Sequence, residues 1–155
     1  GPMPAILKAF ELIGTAKVST SAHEAKQFGY LSEIDGITMN RNRLLFDAKV
    51  KALELVSDYK PPMNHTYRLP GKTAYAAMKL AMDNMKLIGQ ISDYDQFVGE
   101  NIANVLSGGD TDITKELDED CILKLEKNAI YKLFKQNLTT ERLEHILETG
   151  KYLRN

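Results

Sequence analysis

Helical spacing of apolar side chains is the dominant pattern in this 155-residue sequence. Apolar residues recur every three or four positions along most of the chain, which places them on one face of an α-helix. Most of these segments begin beside a residue that can cap a helix, and most end at glycine or proline. The one extended candidate, Ile37 to Met39, is too short to seed a sheet. The sequence therefore predicts an all-α fold of about six helices.

Two short helices joined by a turn occupy the start of the chain. The first is predicted from Pro4 to Ile13 and ends at Gly14. The second begins after Ser21, and Glu24 three residues later predicts a capping box, in which each side chain bonds the other residue's backbone N–H. Gly29 suits the left-handed turn that closes a helix. Together they predict a capped helical hairpin.

Longer helices are predicted beyond the hairpin, the first being a long helix and the others a C-terminal bundle. Their expected bounds are 41 to about 57, 72 to 88, 92 to about 107, 118 to 134, and Thr139 or Thr140 to Gly150. Asn40, Ser92 with Asp95, and Asp118 are the expected caps of three of them. The long helix has one apolar face, formed by Leu45, Ala48, Ala52, Leu55 and Val56.

Composition divides the chain into segments. Residues 1–3 are the start of the chain. They include Gly1-Pro2, which has the form of a remnant left when a protease removes a tag. Residues 4–60 hold the hairpin and the long helix. Residues 61–71, with three prolines and a glycine, form the predicted linker, and residues 72–155 form a C-terminal helical extension.

Charge and hydropathy exclude several classes of partner. The net charge is −1 without a basic stripe, which gives no indication of nucleic-acid binding. Apolar runs are far shorter than the roughly 20 residues that span a bilayer, so no membrane segment is expected. The single cysteine, Cys121, cannot form an internal disulfide and is typical of the reducing cytoplasm.

Residues that could carry chemistry have simpler structural interpretations. His23 and His65 are expected at the surface, and Cys121 beside an apolar stripe as a small buried hydrophobe. The acidic residues near two helix starts are expected to complement helix dipoles, namely Asp93, Asp95, Glu100, Asp118, Glu119 and Asp120. Ser107 to Asp110 lacks the lysine of a phosphate loop and follows a helix, so it is predicted to be a helix stop. No catalytic, cofactor-binding or metal-binding residue is assigned.

Three methionines at helical spacing, Met78, Met82 and Met85, have two interpretations. Such a stripe most often belongs to a core. It is also suited to a plastic partner-binding surface, because methionine side chains are flexible and polarisable.

The wording of two regions resembles known proteins. Ser21 to Leu31 resembles the (S)AxEAxxxGxV/L element of the crotonase (enoyl-CoA hydratase/isomerase) superfamily. Later runs resemble the C-terminus of bacterial β-oxidation proteins that join a 3-hydroxyacyl-CoA dehydrogenase to a crotonase-like region. Those runs are Gly89 to Ser92 with Asp95, Leu106 to Asp110, Leu125 to Ala129, Thr140 to Leu147 and Thr149 to Asn155.

The resemblance implies a C-terminal piece of a longer cytoplasmic enzyme that uses NAD and acyl-CoA. The chain has no G-x-G-x-x-G nucleotide turn, and the crotonase catalytic loop would lie upstream of it. We therefore expect a structural and assembly segment without catalytic residues or a cofactor of its own.

Exposed apolar faces are expected to pack on the remainder of the longer protein or to drive self-association. The methionine helix and the hairpin from Ala5 to Phe28 are the expected places for such a patch. An independent helical adaptor that binds a protein or peptide is the alternative, and the residues leave open a small enzyme in its own right.

Overall fold

The computed structural model describes all 155 residues and contains seven α-helices and one short antiparallel ladder. The all-α prediction is confirmed, and the seven helices correspond to the two short and five longer segments predicted as helices. The elements are α1 (Met3–Gly14), α2 (Ala22–Phe28), α3 (Leu44–Val56), β1 (Thr66–Tyr67), α4 (Lys72–Leu87), α5 (Asp93–Ser107), β2 (Leu117–Asp118), α6 (Glu119–Phe134) and α7 (Asn137–Thr149).

The chain forms two compact units. The larger unit comprises Gly1–Ala16 and Asn64–Asn155, and the smaller unit comprises Lys17–Met63. Helix α1 belongs to the larger unit, where it packs against α4 and α5, whereas the sequence grouped it with α2. The predicted linker 61–71 contains no α-helix, and its strand β1 pairs with β2 in the register Thr66↔Asp118 and Tyr67↔Leu117.

The core of the larger unit lies between α1, α4 and α5. Its buried members are Ile6, Ala74, Met78, Met82 and Ala103. A Cβ added at Gly99 on α5 would lie 2.4 Å from the Met82 sulfur, so the missing side chain lets the two helices approach closely. The core interpretation is confirmed for Met78 and Met82. Met78 and Met82 therefore contribute nothing to an exposed patch, whereas Met85, Leu80 and Leu87 of the same helix remain exposed.

The turn before α4 depends on a glycine. Gly71 has φ +57° and ψ −132°, a backbone conformation that side chains with a Cβ rarely adopt. A Cβ built at this position would lie 1.7 Å from the Thr111 carbonyl oxygen. The Gly71 N–H also donates to the Ser107 carbonyl oxygen at 2.9 Å, which fixes the start of α4 against the end of α5.

Three of the expected caps are present. Ser92 and Asp95 form a reciprocal capping box at the start of α5. The Asp118 carboxylate accepts the Cys121 N–H at 2.8 Å and caps α6. Asn40 accepts the Asn42 N–H at the 3₁₀ turn Arg41–Arg43, which leads into α3.

Two predicted caps are wrong in detail. Ser21 accepts the Glu24 N–H, but the Glu24 carboxylate turns to the backbone N–H and the hydroxyl of Thr20, one residue before the expected donor. Helix α7 begins at Asn137 rather than at a threonine cap. Thr139 is inside it, and its hydroxyl donates to the Leu133 carbonyl oxygen at 2.7 Å.

The smaller unit contains α2 and α3. Gly29 ends α2 in the left-handed conformation at φ +83°, as predicted. Nearby, the Tyr30 hydroxyl donates to the Lys17 carbonyl oxygen at 2.9 Å. Helix α3 is different in kind, because none of its thirteen residues is buried. Leu45 is 83% exposed and Val56 70% exposed, so the predicted apolar face of this helix lies open.

Candidate functional site

His23 lies in the smaller unit, whereas His65 and His145 lie in the larger unit. His23 and His65 are exposed, as predicted, and His145 is half-buried on α7. Nowhere do three His, Cys, Asp or Glu side chains come together in an arrangement that could hold a metal ion.

Cys121 lies half-buried in the first turn of α6. Its hydrogen bond with the Asp118 carboxylate raises the pKa of the thiol, and burial adds to this increase. A raised pKa keeps sulfur in the thiol form, which is a poor nucleophile. The residue is less buried than the sequence predicted.

The acidic residues take different roles. Asp93 is exposed and pairs with Lys86 at 2.5 Å. Asp95 accepts hydrogen bonds from Ser92 N–H at 2.9 Å and from Arg142 at 2.7 Å. Burial alone would raise the pKa of Asp95, but these two donors together hold it below its ordinary value. Asp95 thus joins the start of α5 to α7.

The segment Ser107 to Asp110 is a helix stop, as predicted. Gly108 is left-handed at φ +87°, and its N–H donates to Val105. The Gly109 N–H donates to the Asn104 carbonyl oxygen. Because both glycine N–H groups are already engaged within the chain, they cannot form the anion-binding nest of a phosphate loop.

An open groove lies between α5 and α6, entirely within the larger unit. It offers about 530 Å³ of space that remains largely open to solvent. A smaller depression of about 220 Å³ adjoins it and shares Asn104 and Lys132 with it. The groove is lined by Asn104, Leu125, Asn128, Tyr131, Lys132 and Lys135.

Glu100 is the only carboxylate that lines the smaller depression, and it is already neutralised. It accepts hydrogen bonds from Lys79, from Gln96 at 3.4 Å and from the Tyr75 hydroxyl at 3.5 Å. The Glu100 contact raises the pKa of Lys79. Burial first and Glu100 second raise the pKa of Tyr75, so near neutral pH the Tyr75 hydroxyl keeps its proton.

Sequence reasoning missed this groove. Its signal was present, because Asn128, Lys132 and Lys135 follow one another at i, i+4 and i+7 along α6. They form a polar row on α6, a helix that the sequence analysis described only by its apolar face. Asn104 on α5 faces them only through packing of α5 against α6, which periodicity within one helix does not reveal.

None of the described helices combines the length and apolar character needed to cross a membrane. No protein-family model matches the chain, and no solved structure matches it. Among curated proteins, it is similar to a protein named "Probable 3-hydroxyacyl-CoA dehydrogenase" from Bacillus subtilis (strain 168), at 40% identity over 155 residues. That match covers 99% of this chain and 20% of the relative, so the chain spans about one fifth of the relative's length.

Proposed function

We propose that this chain is a structural and assembly segment of a longer, cytoplasmic 3-hydroxyacyl-CoA dehydrogenase of fatty-acid β-oxidation that also carries an enoyl-CoA hydratase-like region. One observation carries the proposal: 40% identity extends along 99% of the chain to a relative with that dehydrogenase name. Identity sustained over this length supports common descent of the whole segment rather than a shared short motif.

The chemistry of the larger unit supports a role other than catalysis. Glu100 is held by Lys79, and Tyr75 has a raised pKa. The Cys121 thiol also has a raised pKa. General acid–base catalysis is most effective when the pKa of the catalytic group is near the working pH, and these shifts move the Tyr75 and Cys121 groups away from neutrality.

NAD and acyl-CoA are proposed to bind elsewhere in the longer protein. The usual dinucleotide site needs a strand, a glycine-rich turn and a helix N-terminus in a parallel sheet. Here the two strands have two residues each and pair antiparallel. The residues of this chain therefore do not fit an NAD site of that kind.

The open face of α3 is the proposed contact with the rest of the longer protein. Its large apolar side chains are Leu45, Leu55 and Val56, each more than half exposed. Burying one such side chain fully would stabilise an assembly by about 1.5–3 kcal/mol. Together these side chains therefore favour docking of this face.

To test this proposal, two residues of that face are replaced by glutamate in the full-length protein encoded by the complete native gene. We expect Leu45→Glu with Val56→Glu to lower its Tm and its soluble yield, because docking would bury both charges. In the 155-residue chain alone the same pair should change the unfolding free energy by less than about 1 kcal/mol, because both sites are exposed.

The control is Lys51→Glu, which also adds a glutamate to α3 but replaces a charged side chain outside the apolar face. Because it removes the exposed Lys51–Glu54 ion pair, it should cost less than about 1 kcal/mol, equally in both proteins. Equal Tm values for the complete wild-type protein and its double variant, measured by differential scanning calorimetry, would contradict docking through α3.

A further inference from the structure

The groove between α5 and α6 has an excess of positive charge. Lys132 and Lys135 line it, and neither forms an ion pair, although Lys72, Lys79 and Lys86 of the same unit all do. The neighbouring Glu100 does not offset them, since its carboxylate is paired with Lys79. Two ammonium groups therefore face this cavity without a counter-ion from the chain.

Two side-chain amides that form no hydrogen bond within the protein lie beside these lysines. Asn104 and Asn128 line the groove, and the side chain of neither makes a hydrogen bond within the protein. The Asn101 amide, by contrast, donates to the Phe97 carbonyl oxygen at 2.8 Å. Ammonium and amide N–H groups together form the donor set that proteins use for phosphate oxygens.

An aromatic ring forms part of the same wall. Tyr131 lines the groove and is 57% exposed. The Lys127 ammonium lies 5.7 Å from its ring centroid. Leu125 provides apolar surface beside it. An exposed ring next to cationic groups is suited to stacking a flat heterocycle whose phosphates reach the lysines.

We propose that the groove between α5 and α6 binds a phosphorylated small molecule of the nucleotide class. Lys132 and Lys135 contact its phosphates, the amides of Asn104 and Asn128 donate to phosphate or sugar oxygens, and Tyr131 stacks on its base. The inference rests only on groups that line this one groove, which is separate from the NAD and acyl-CoA sites proposed elsewhere in the longer protein, and it stands whether or not those sites exist.

The lysines also have a structural interpretation. Lys132 lies in the last turn of α6 and Lys135 directly follows it, where positive charge favours the helix dipole. A helix-stabilising role would alter thermal stability without altering ligand affinity. Binding and unfolding must therefore be measured on the same variants.

The experiment titrates ADP into the 155-residue chain by isothermal calorimetry at low salt. Lys132→Gln with Lys135→Gln should weaken ADP binding by about tenfold or more, since each removes a charged hydrogen bond. Tyr131→Leu should weaken ADP binding but leave inorganic pyrophosphate binding unchanged, because pyrophosphate has no base to stack.

Lys151→Gln is the control, because this lysine is exposed and lines neither the groove nor the smaller depression. It should leave ADP binding unchanged, and circular dichroism melting should confirm that each variant is folded. Absence of ADP binding at millimolar concentration would overturn the proposal, as would equal affinities for the wild type and the double lysine variant. Equal losses for ADP and pyrophosphate in Tyr131→Leu would overturn the stacking.

Discussion

Gly71 has the most restrictive environment of any single glycine in the larger unit. Its positive φ and the 1.7 Å distance between a built Cβ and the Thr111 carbonyl oxygen are two separate obstacles to a side chain. The close neighbour is a backbone atom, so it cannot turn aside as a flexible side chain can. The contact lies where the start of α4 meets the loop after α5.

We predict that Gly71→Ala destabilises the chain by more than about 2 kcal/mol, because the strained conformation and the clash both act on the folded state. Chemical denaturation followed by circular dichroism measures this change. Gly36→Ala is the matched control, since no atom lies within 4 Å of its built Cβ and its φ is not positive. Equal losses in the two variants would contradict this account of Gly71.

Some helix caps could be predicted from the sequence and others could not. Ser92 with Asp95 was recognisable because a capping box depends on groups three positions apart. The Ser21 prediction failed by one residue, because Thr20 presents both a backbone N–H and a hydroxyl to Glu24. Thr139 was misplaced because its hydroxyl bonds the preceding helix and Tyr94, not its own helix start.

At the scale of elements, Asp95 connects three parts of the larger unit. It caps α5, pairs with Arg142 on α7 at 2.7 Å, and accepts from Arg154 near the chain end at 3.3 Å. Its lowered pKa means that the folded state favours the charged carboxylate. This contribution to stability is present above the ordinary aspartate pKa of about 3.9 and is lost as pH falls through the lower folded-state pKa.

We therefore predict that Asp95→Asn costs about 1–3 kcal/mol at neutral pH, because it removes charged hydrogen bonds and leaves Arg142 without its carboxylate partner. The difference from wild type should begin to shrink below about pH 4, where the unfolded carboxylate becomes protonated, and shrink further as pH falls through the lowered folded-state pKa. Urea unfolding across a pH series measures it. The control is Asp93→Asn, at an exposed ion pair, which should lower the free energy of unfolding by less than about 1 kcal/mol. A difference for Asp95→Asn that does not change with pH would contradict the electrostatic explanation.

The helices themselves were largely predictable, and their packing was not. Spacing within one segment identified α4 and α5 and placed Met78 and Met82 in the core. It also identified the apolar face of α3, yet that face is exposed while the methionine face is covered. Burial depends on which elements pack together, and the periodicity of one helix does not show which other helices pack against it.

At the scale of the whole molecule, the two units differ in how completely they bury apolar surface. The larger unit has a continuous core from α1, α4 and α5. The smaller unit contributes Ala25 as its one buried apolar residue. A helix as apolar and as open as α3 is typical of a surface that is covered in a larger assembly, which is the physical basis of the assembly role proposed above.

The groove between α5 and α6 was not predictable from the sequence for a related reason. Its six lining residues come from α5, from α6 and from Lys135 directly after α6, and only the packing of the two helices makes them one surface. The family resemblance did not point to it either, since the matched runs include Leu125 and Asn128 without distinguishing them from their neighbours.

The most direct test of the central claim measures NADH formation from NAD and 3-hydroxybutyryl-CoA. The product of the complete native gene and the 155-residue chain alone should be compared at equal molar concentration. We predict NADH formation by the complete protein and none by the chain alone. NADH formation by the chain alone, or a complete gene product that forms none, would contradict the account.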